Sequence, residues 1–162
     1  MKTSLAYPRV YLSPGDFHFA TEPTRISTVL GSCIAVTLWH PQRRIGAMCH
    51  FMLPNRRIRG NRLSGKYADE AFEMFMLEVE SHRTLPGDYE VKLFGGGEMF
   101  PRHKTALVSA VPDMNIEAAL QLAEQYHLNV TAQDIGRTGH RNIVFDTWNG
   151  DVWVKHKPLH QC

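Results

Sequence analysis

The stretch Leu30-Gly31-Ser32-Cys33-Ile34-Ala35-Val36-Thr37-Leu38-Trp39-His40-Pro41-Gln42-Arg43-Arg44-Ile45-Gly46-Ala47-Met48-Cys49-His50-Phe51-Met52-Leu53-Pro54 decides the architecture. From Cys33 to Leu38 the residues alternate as in a strand, with β-branched Ile34, Val36 and Thr37. His40-Pro41-Gln42-Arg43-Arg44 turns the chain, and Ile45 to Leu53 returns as a second strand. The result is a hairpin that places Cys33 near one end, just after a tight Gly31-Ser32 junction. His50 follows the cysteine by seventeen residues, on the returning strand. A thiol beside an imidazole is a potential nucleophile with its own base, which makes an enzyme acting on a carbonyl or carboxamide the leading reading.

Outward from this hairpin, short β-rich runs precede it: Val10 to Leu12, Phe17 to Ala20 and Ile26 to Leu30. Downstream, Ala68, Ala71, Phe72, Phe75, Met76 and Val79 fall on one helical face. Tyr89 to Phe94 reads as a strand running into Gly95-Gly96-Gly97. A second helix is expected from about Met114 to Tyr126, with Asp113 as its N-cap and Ile116, Ala119, Leu120 and Ala123 as its face. Leu128 to Asp134, Asn142 to Thr147 and Val152 to Lys155 read as closing strands, with Asn149-Gly150 as a hairpin turn. Two main helices against many strands, mostly joined by hairpins, indicate an α/β or α+β layered domain.

The 162 residues fit a single domain spanning 1–162, with neither repeat nor linker. A net charge of +2 does not argue for nucleic acid. Three cysteines are an odd count, two of them inside apolar strand patterns, which fits a reducing cytoplasm better than a secreted disulfide framework. Met1-Lys2-Thr3-Ser4 leads into no apolar stretch of signal-peptide length, and no run approaches the ~20 apolar residues of a membrane span. Membrane insertion is therefore not expected.

Five segments in order carry a resemblance: Leu30-Gly31-Ser32-Cys33, Met48-Cys49-His50-Phe51-Met52-Leu53-Pro54, Lys66-Tyr67-Ala68-Asp69, Lys92-Leu93-Phe94-Gly95-Gly96-Gly97 and Gly136-Arg137-Thr138-Gly139-His140-Arg141. Together they resemble the CheD family of chemoreceptor glutamine deamidases, over roughly Val10 to Lys155. The resemblance implies a three-layered α/β sandwich similar to the catalytic domain of cytotoxic necrotizing factor toxins. It implies hydrolysis of glutamine side chains to glutamate on methyl-accepting chemotaxis receptors, with no metal or organic cofactor. Some family members also remove glutamyl methyl esters. A Cys nucleophile and a His fall on Cys33 and His50. The family's hydroxyl residue, six positions before the cysteine, falls on Ser27, with Thr28 beside it.

On this reading His50 takes the thiol proton and holds an ion pair with Cys33, and Ser27 fixes the imidazole tautomer. Backbone N–H groups of the Gly31-Ser32-Cys33 turn are the expected oxyanion donors. Cys49 belongs to the core, since strand alternation sends it away from His50, and this also weakens a zinc site built from the two cysteines and the histidine. Cys162 is terminal and unlinked to the chemistry. Gly95-Gly96-Gly97 lacks the Lys-Ser or Lys-Thr of a phosphate cradle and reads as a tight loop lining the cleft.

Asn55 to Lys66 is a basic loop whose Arg56, Arg57 and Arg59 are candidates to steer an acidic receptor helix toward Cys33. Its charges have no interleaved aromatics, so nucleic-acid binding is not expected. A different class of function also fits the resemblance: an adaptor that binds receptors or a CheC-type phosphatase without needing catalysis. Loss of the Cys33 thiol discriminates the two, since only an enzyme depends on it.

Overall fold

Strand alternation in the N-terminal third produces β1 (Arg9–Leu12), β2 (Phe17–Ala20), β3 (Arg25–Leu30), β4 (Ile34–His40) and β5 (Ile45–Phe51) in succession. Then come α1 (Ala68–Ser81), a 3-10 turn at Pro86–Asp88, β6 (Glu90–Gly95), α2 (Ala106–Gln125), β7 (Asn129–Ile135), β8 (His140–Asp146) and β9 (Val152–Lys157). This computed structural model describes residues 7–100 and 106–160; Met1 to Ser4 and Cys162 lie outside the described residues.

The strands divide into a four-stranded sheet, β1-β3-β8-β9, and a five-stranded sheet, β2-β5-β4-β6-β7. Both are mixed: β1 runs parallel to β3 and β6 parallel to β7, while the other pairs are antiparallel. The expected dominance of hairpins does not hold. Only β4–β5 and β8–β9 pair directly with their chain neighbours, the latter across Asn149 and Gly150, apart from the β6–β7 pair. That parallel pair is joined through α2, the crossover it requires, and β1, β2, β3 and β4 alternate between the two sheets.

Two buried clusters separate three layers. Phe72, Phe75 and Val79 of α1 and Ala119 of α2 pack on Ile34, Val36, Cys49 and Phe51, covering one face of the five-stranded sheet. The opposite face carries Ala35, Met48 and Phe94, which meet Leu12, Ile26, Leu30, Ile143 and Phe145 of the four-stranded sheet. Helices, five strands and four strands thus stack in that order, an α/β sandwich. The second helix starts at Ala106 rather than near Met114, so Asp113 is not its N-cap and Pro112 lies buried inside it.

The chain passes from the four-stranded to the five-stranded sheet through Gly31-Ser32-Cys33, so Cys33 sits at the crossing between layers. The glycine run after β6 holds this crossing from behind: Gly96 N–H donates to Cys33 C=O at 2.9 Å and Gly97 N–H to Gly31 C=O at 2.8 Å. Such an approach requires glycine. Gly95 has φ +113°, and a Cβ there would lie 2.2 Å from the Cys33 carbonyl oxygen. Fully buried Arg141 fixes the same run from β8, donating to Gly95 C=O at 3.2 Å, Gly136 C=O at 2.9 Å and Asp134 Oδ1 at 3.1 Å. Gly95→Ala is therefore expected to cost roughly 2 kcal/mol or more in urea unfolding, because both backbone angle and contact oppose a side chain. Gly87→Ala, where a Cβ meets nothing within 4 Å, is the matched control and should stay within about 0.5 kcal/mol.

Candidate active site

His50 sits near the end of β5 and faces the four-stranded sheet, sharing that side with Met48. Its backbone is locked to the turn before β2, accepting from Gly15 N–H at 2.8 Å and donating to Asp16 C=O at 3.1 Å. Across the hairpin it stands opposite Ala35. Cys33 precedes Ala35 by two residues and packs against the same inter-sheet cluster. Period-two alternation therefore puts thiol and imidazole on one face, although no hydrogen bond joins them in this structure. Cys49, by contrast, is buried beneath the helices.

The group that reaches His50 is Thr28. Its Oγ1 lies 2.7 Å from His50 Nδ1 and also donates to Leu12 C=O at 2.7 Å. A hydroxyl has one proton, and the carbonyl can only accept, so the imidazole must donate from Nδ1. Nε2 is thereby left as a bare lone pair, buried and without a hydrogen-bond partner among the described residues. This is the tautomer that a general base toward a thiol requires.

Ser27 does not take this position. Ile26, Thr28 and Leu30 point into the inter-sheet layer, while Arg25, Ser27 and Val29 point outward from the four-stranded sheet. The hydroxyl therefore comes from the next residue, and the alternation of Ile26 and Leu30 about Thr28 was the sequence signal for it.

Burial governs the electrostatics. Desolvation pushes the Cys33 thiol up, partly offset by a hydrogen bond with the Ser32 side chain. Desolvation pushes His50 down to about 4, opposed weakly by the charge of Asp16. Both shifts favour the neutral forms, thiol and imidazole, over the expected ion pair. Cys49 is driven up to about 12 by complete burial, which makes it an inert thiol at neutral pH.

The turn carrying Cys33 has its carbonyls tied and its amides open. Gly31 and Cys33 C=O accept from Gly97 and Gly96, and Ser32 C=O accepts from the side chain of Asn115 at 3.1 Å. The N–H groups of Gly31, Ser32 and Cys33 have no partner among the described residues. A pocket of about 220 Å³ lined by Ser32, Met99, Phe100, Val111 and Pro112 opens beside the turn.

The basic loop is not a free patch of charge. Arg56 forms a bidentate pair with fully buried Glu70, at 2.9 and 2.8 Å, and stacks over Tyr67. Arg59 bridges Asp69 at 2.9 Å and Glu73 at 2.8 Å. Both arginines tie the loop to α1, and of the three expected steering residues only Arg57 is exposed with no ion-pair partner among the described residues. Among the described residues no group of three or more His, Cys, Asp or Glu side chains is placed to hold a metal ion.

The folded-state value of His50 lies below its ordinary 6.5, so on acidification the unfolded chain binds this proton first. Stability from this group is complete above about 6.5 and declines toward about 4, where the folded protein protonates as well. Its loss between pH 7 and pH 4 is expected to be roughly 3 kcal/mol. Urea midpoints of the wild type should therefore fall more steeply over this range than those of His50→Gln; parallel slopes would refute the shift.

Several known proteins are similar to this chain. A family model described as CheD chemotactic sensory transduction matches residues 52–156. A protein of Pseudomonas savastanoi pv. phaseolicola named probable chemoreceptor glutamine deamidase CheD is 55% identical over 160 residues, covering 98% of this chain and 90% of its own length. A protein of the same name from Pseudomonas fluorescens is likewise 55% identical with the same coverage. A more distant one, from Leptospira interrogans, is 34% identical over 93% of both chains. The similarity to both Pseudomonas proteins over nearly the whole chain, with a family model over residues 52–156, shows that this chain belongs to the CheD family.

Proposed function

We propose that this protein deamidates glutamine side chains of chemoreceptors to glutamate, with Cys33 as nucleophile, His50 as general base and then acid, and Thr28 as the residue that orients the imidazole. The observation that carries the reading is the Thr28–His50 hydrogen bond, which leaves Nε2 unprotonated on the face shared with Cys33.

The steps start from a neutral thiol and imidazole, the forms that burial favours. As the sulfur attacks the glutamine Cδ, its proton passes to His50 Nε2, so charge develops only when substrate has excluded water. The carbonyl π electrons move onto oxygen, and the open N–H groups of the Gly31-Ser32-Cys33 turn stabilise that oxyanion. One such donor is worth about 10²- to 10³-fold in rate. Collapse of the tetrahedral adduct breaks the C–N bond, His50 Nε2 returns its proton to the leaving nitrogen, and ammonia departs. Water, deprotonated by the same Nε2, then attacks the thioester and releases glutamate and the Cys33 thiol.

The substrates on this reading are the cytoplasmic helices of methyl-accepting chemotaxis receptors, which places the protein in the cytoplasm. Among the described residues no helix is long and apolar enough to cross a membrane. Steering of acidic receptor helices falls to Arg57 rather than to the paired Arg56 and Arg59. An adaptor for receptors or a CheC-type phosphatase would use the same cleft without needing the thiol.

Cys33→Ala is expected to abolish the amide-to-acid mass change in receptor cytoplasmic fragments while keeping the wild-type melting curve. Retained deamidation in that variant would overturn the assignment, and retained signalling function without deamidation would favour the adaptor. Thr28→Val, which strands His50 Nδ1 and Leu12 C=O, should lower kcat at least about tenfold and stability by about 1–3 kcal/mol. Ser27→Ala should change stability by less than about 0.5 kcal/mol and leave kcat near wild type; the reverse ranking would restore Ser27 to the third role.

A further inference from the structure

Asn115 is a polar side chain on the first half of α2 with no exposed surface. Its Nδ2 forks between two backbone carbonyls, Ser32 at 3.1 Å and Met52 at 2.9 Å. Ser32 immediately precedes Cys33, and Met52 follows His50 by two residues. These carbonyls lie just past the last β4–β5 pair, Ile34 with Phe51, where the two strands part. One amide thus continues the ladder at the point where the chemistry begins.

The same amide leaves its Oδ1 buried with no partner among the described residues. An orphaned buried acceptor is costly, and an apolar residue of the same size would avoid that cost. An apolar residue would in turn strand the Ser32 and Met52 carbonyls, so the fork fixes both peptide planes against α2. A trans peptide points its N–H opposite to its C=O. Holding Ser32 C=O toward α2 consequently aims the Cys33 N–H the other way, out of the helix layer.

We propose that Asn115 is a positioning residue for the deamidation reaction, setting the Ser32–Cys33 peptide plane and the spacing between the Cys33 and His50 strands. It touches neither substrate nor reacting atoms. Its effect passes through the Cys33 N–H as oxyanion donor and through the approach of sulfur to Nε2. This inference rests on the deamidase reading for its kinetic readout, but the reactivity of Cys33 tests the geometry without any receptor.

The test uses Asn115→Leu in the full chain, with kcat and KM on a receptor cytoplasmic fragment and the pH dependence of Cys33 alkylation by iodoacetamide. Misplacement by about 1 Å can cost on the order of 100-fold. The expected result is a kcat lower by about 10- to 100-fold, KM within about twofold of wild type, and an alkylation profile displaced from that of the wild type. Asn115→Gln, which keeps the NH₂ donor, should recover part of the loss. A folded Asn115→Leu with wild-type kcat and an unchanged alkylation profile would overturn the proposal. Should that variant not fold, Asn115→Ala is measured in the same way, and the same two results support or overturn the positioning role. Failure of both to fold would make Asn115 a purely structural residue and overturn it as well. If wild type itself deamidates nothing, the functional reading fails, and the alkylation profiles alone decide the positioning role.

Discussion

A single hydroxyl joins the two sheets at the candidate active site. Thr28 comes from the four-stranded sheet, His50 from the five-stranded sheet, and Leu12 closes the chain of hydrogen bonds with its carbonyl. Each bond is worth only about 1 kcal/mol net, but breaking either strands a buried polar group. The arrangement therefore holds the layers in register and dictates on which nitrogen the imidazole proton resides. The strand that supplies Thr28 then turns through Gly31 and Ser32 to deliver Cys33 to the neighbouring sheet, so orienting group and thiol sit on one short piece of chain. Their common partner arrives only when the sandwich assembles.

Burial makes this site quiet at rest. With the thiol pushed up and the imidazole pushed down, burial disfavours charge on either group. A neutral thiol is a poor target for oxidants, which act on thiolates. On the proposed mechanism, proton transfer is deferred until an amide carbonyl occupies the turn, where open N–H groups take up the charge that develops. The backbone of that turn is held from behind by glycine amides and the Asn115 side chain, so donors serving the proposed reaction would need little reorganisation.

Much of this was legible in the sequence because period-two and helical patterns report directly on burial. Phe17–Ala20 forms the strand that its short β-rich run predicts, and the face of α1 is the one that Phe72, Phe75 and Val79 define. The same rule separates Cys49 from His50. It also identifies Thr28, since Ile26 and Leu30 fix the inward face; the position six residues before the cysteine, Ser27, lies on the outward one. Other features depend on partners distant in the chain. The sequence pattern predicts the second helix from about Met114, yet α2 begins at Ala106 and runs through Pro112, and it brings Asn115 to the Ser32 and Met52 carbonyls. Arg56 and Arg59 look like free charge until Glu70, Asp69 and Glu73 are seen facing them. Sheet order also escaped local reading, because alternation shows which face is buried and not which sheet receives the strand.

The protonation state that Thr28 imposes on His50 underlies the proposed mechanism, and imidazole nitrogen NMR on ¹⁵N-histidine-labelled protein at pH 7 reads it directly. The His50 resonances are expected to report a neutral ring protonated at Nδ1 with an unprotonated Nε2. They should be assigned by comparison with His50→Gln, and the pattern should be lost in Thr28→Val. A ring protonated at Nε2, or an imidazolium at that pH, would contradict this mechanism.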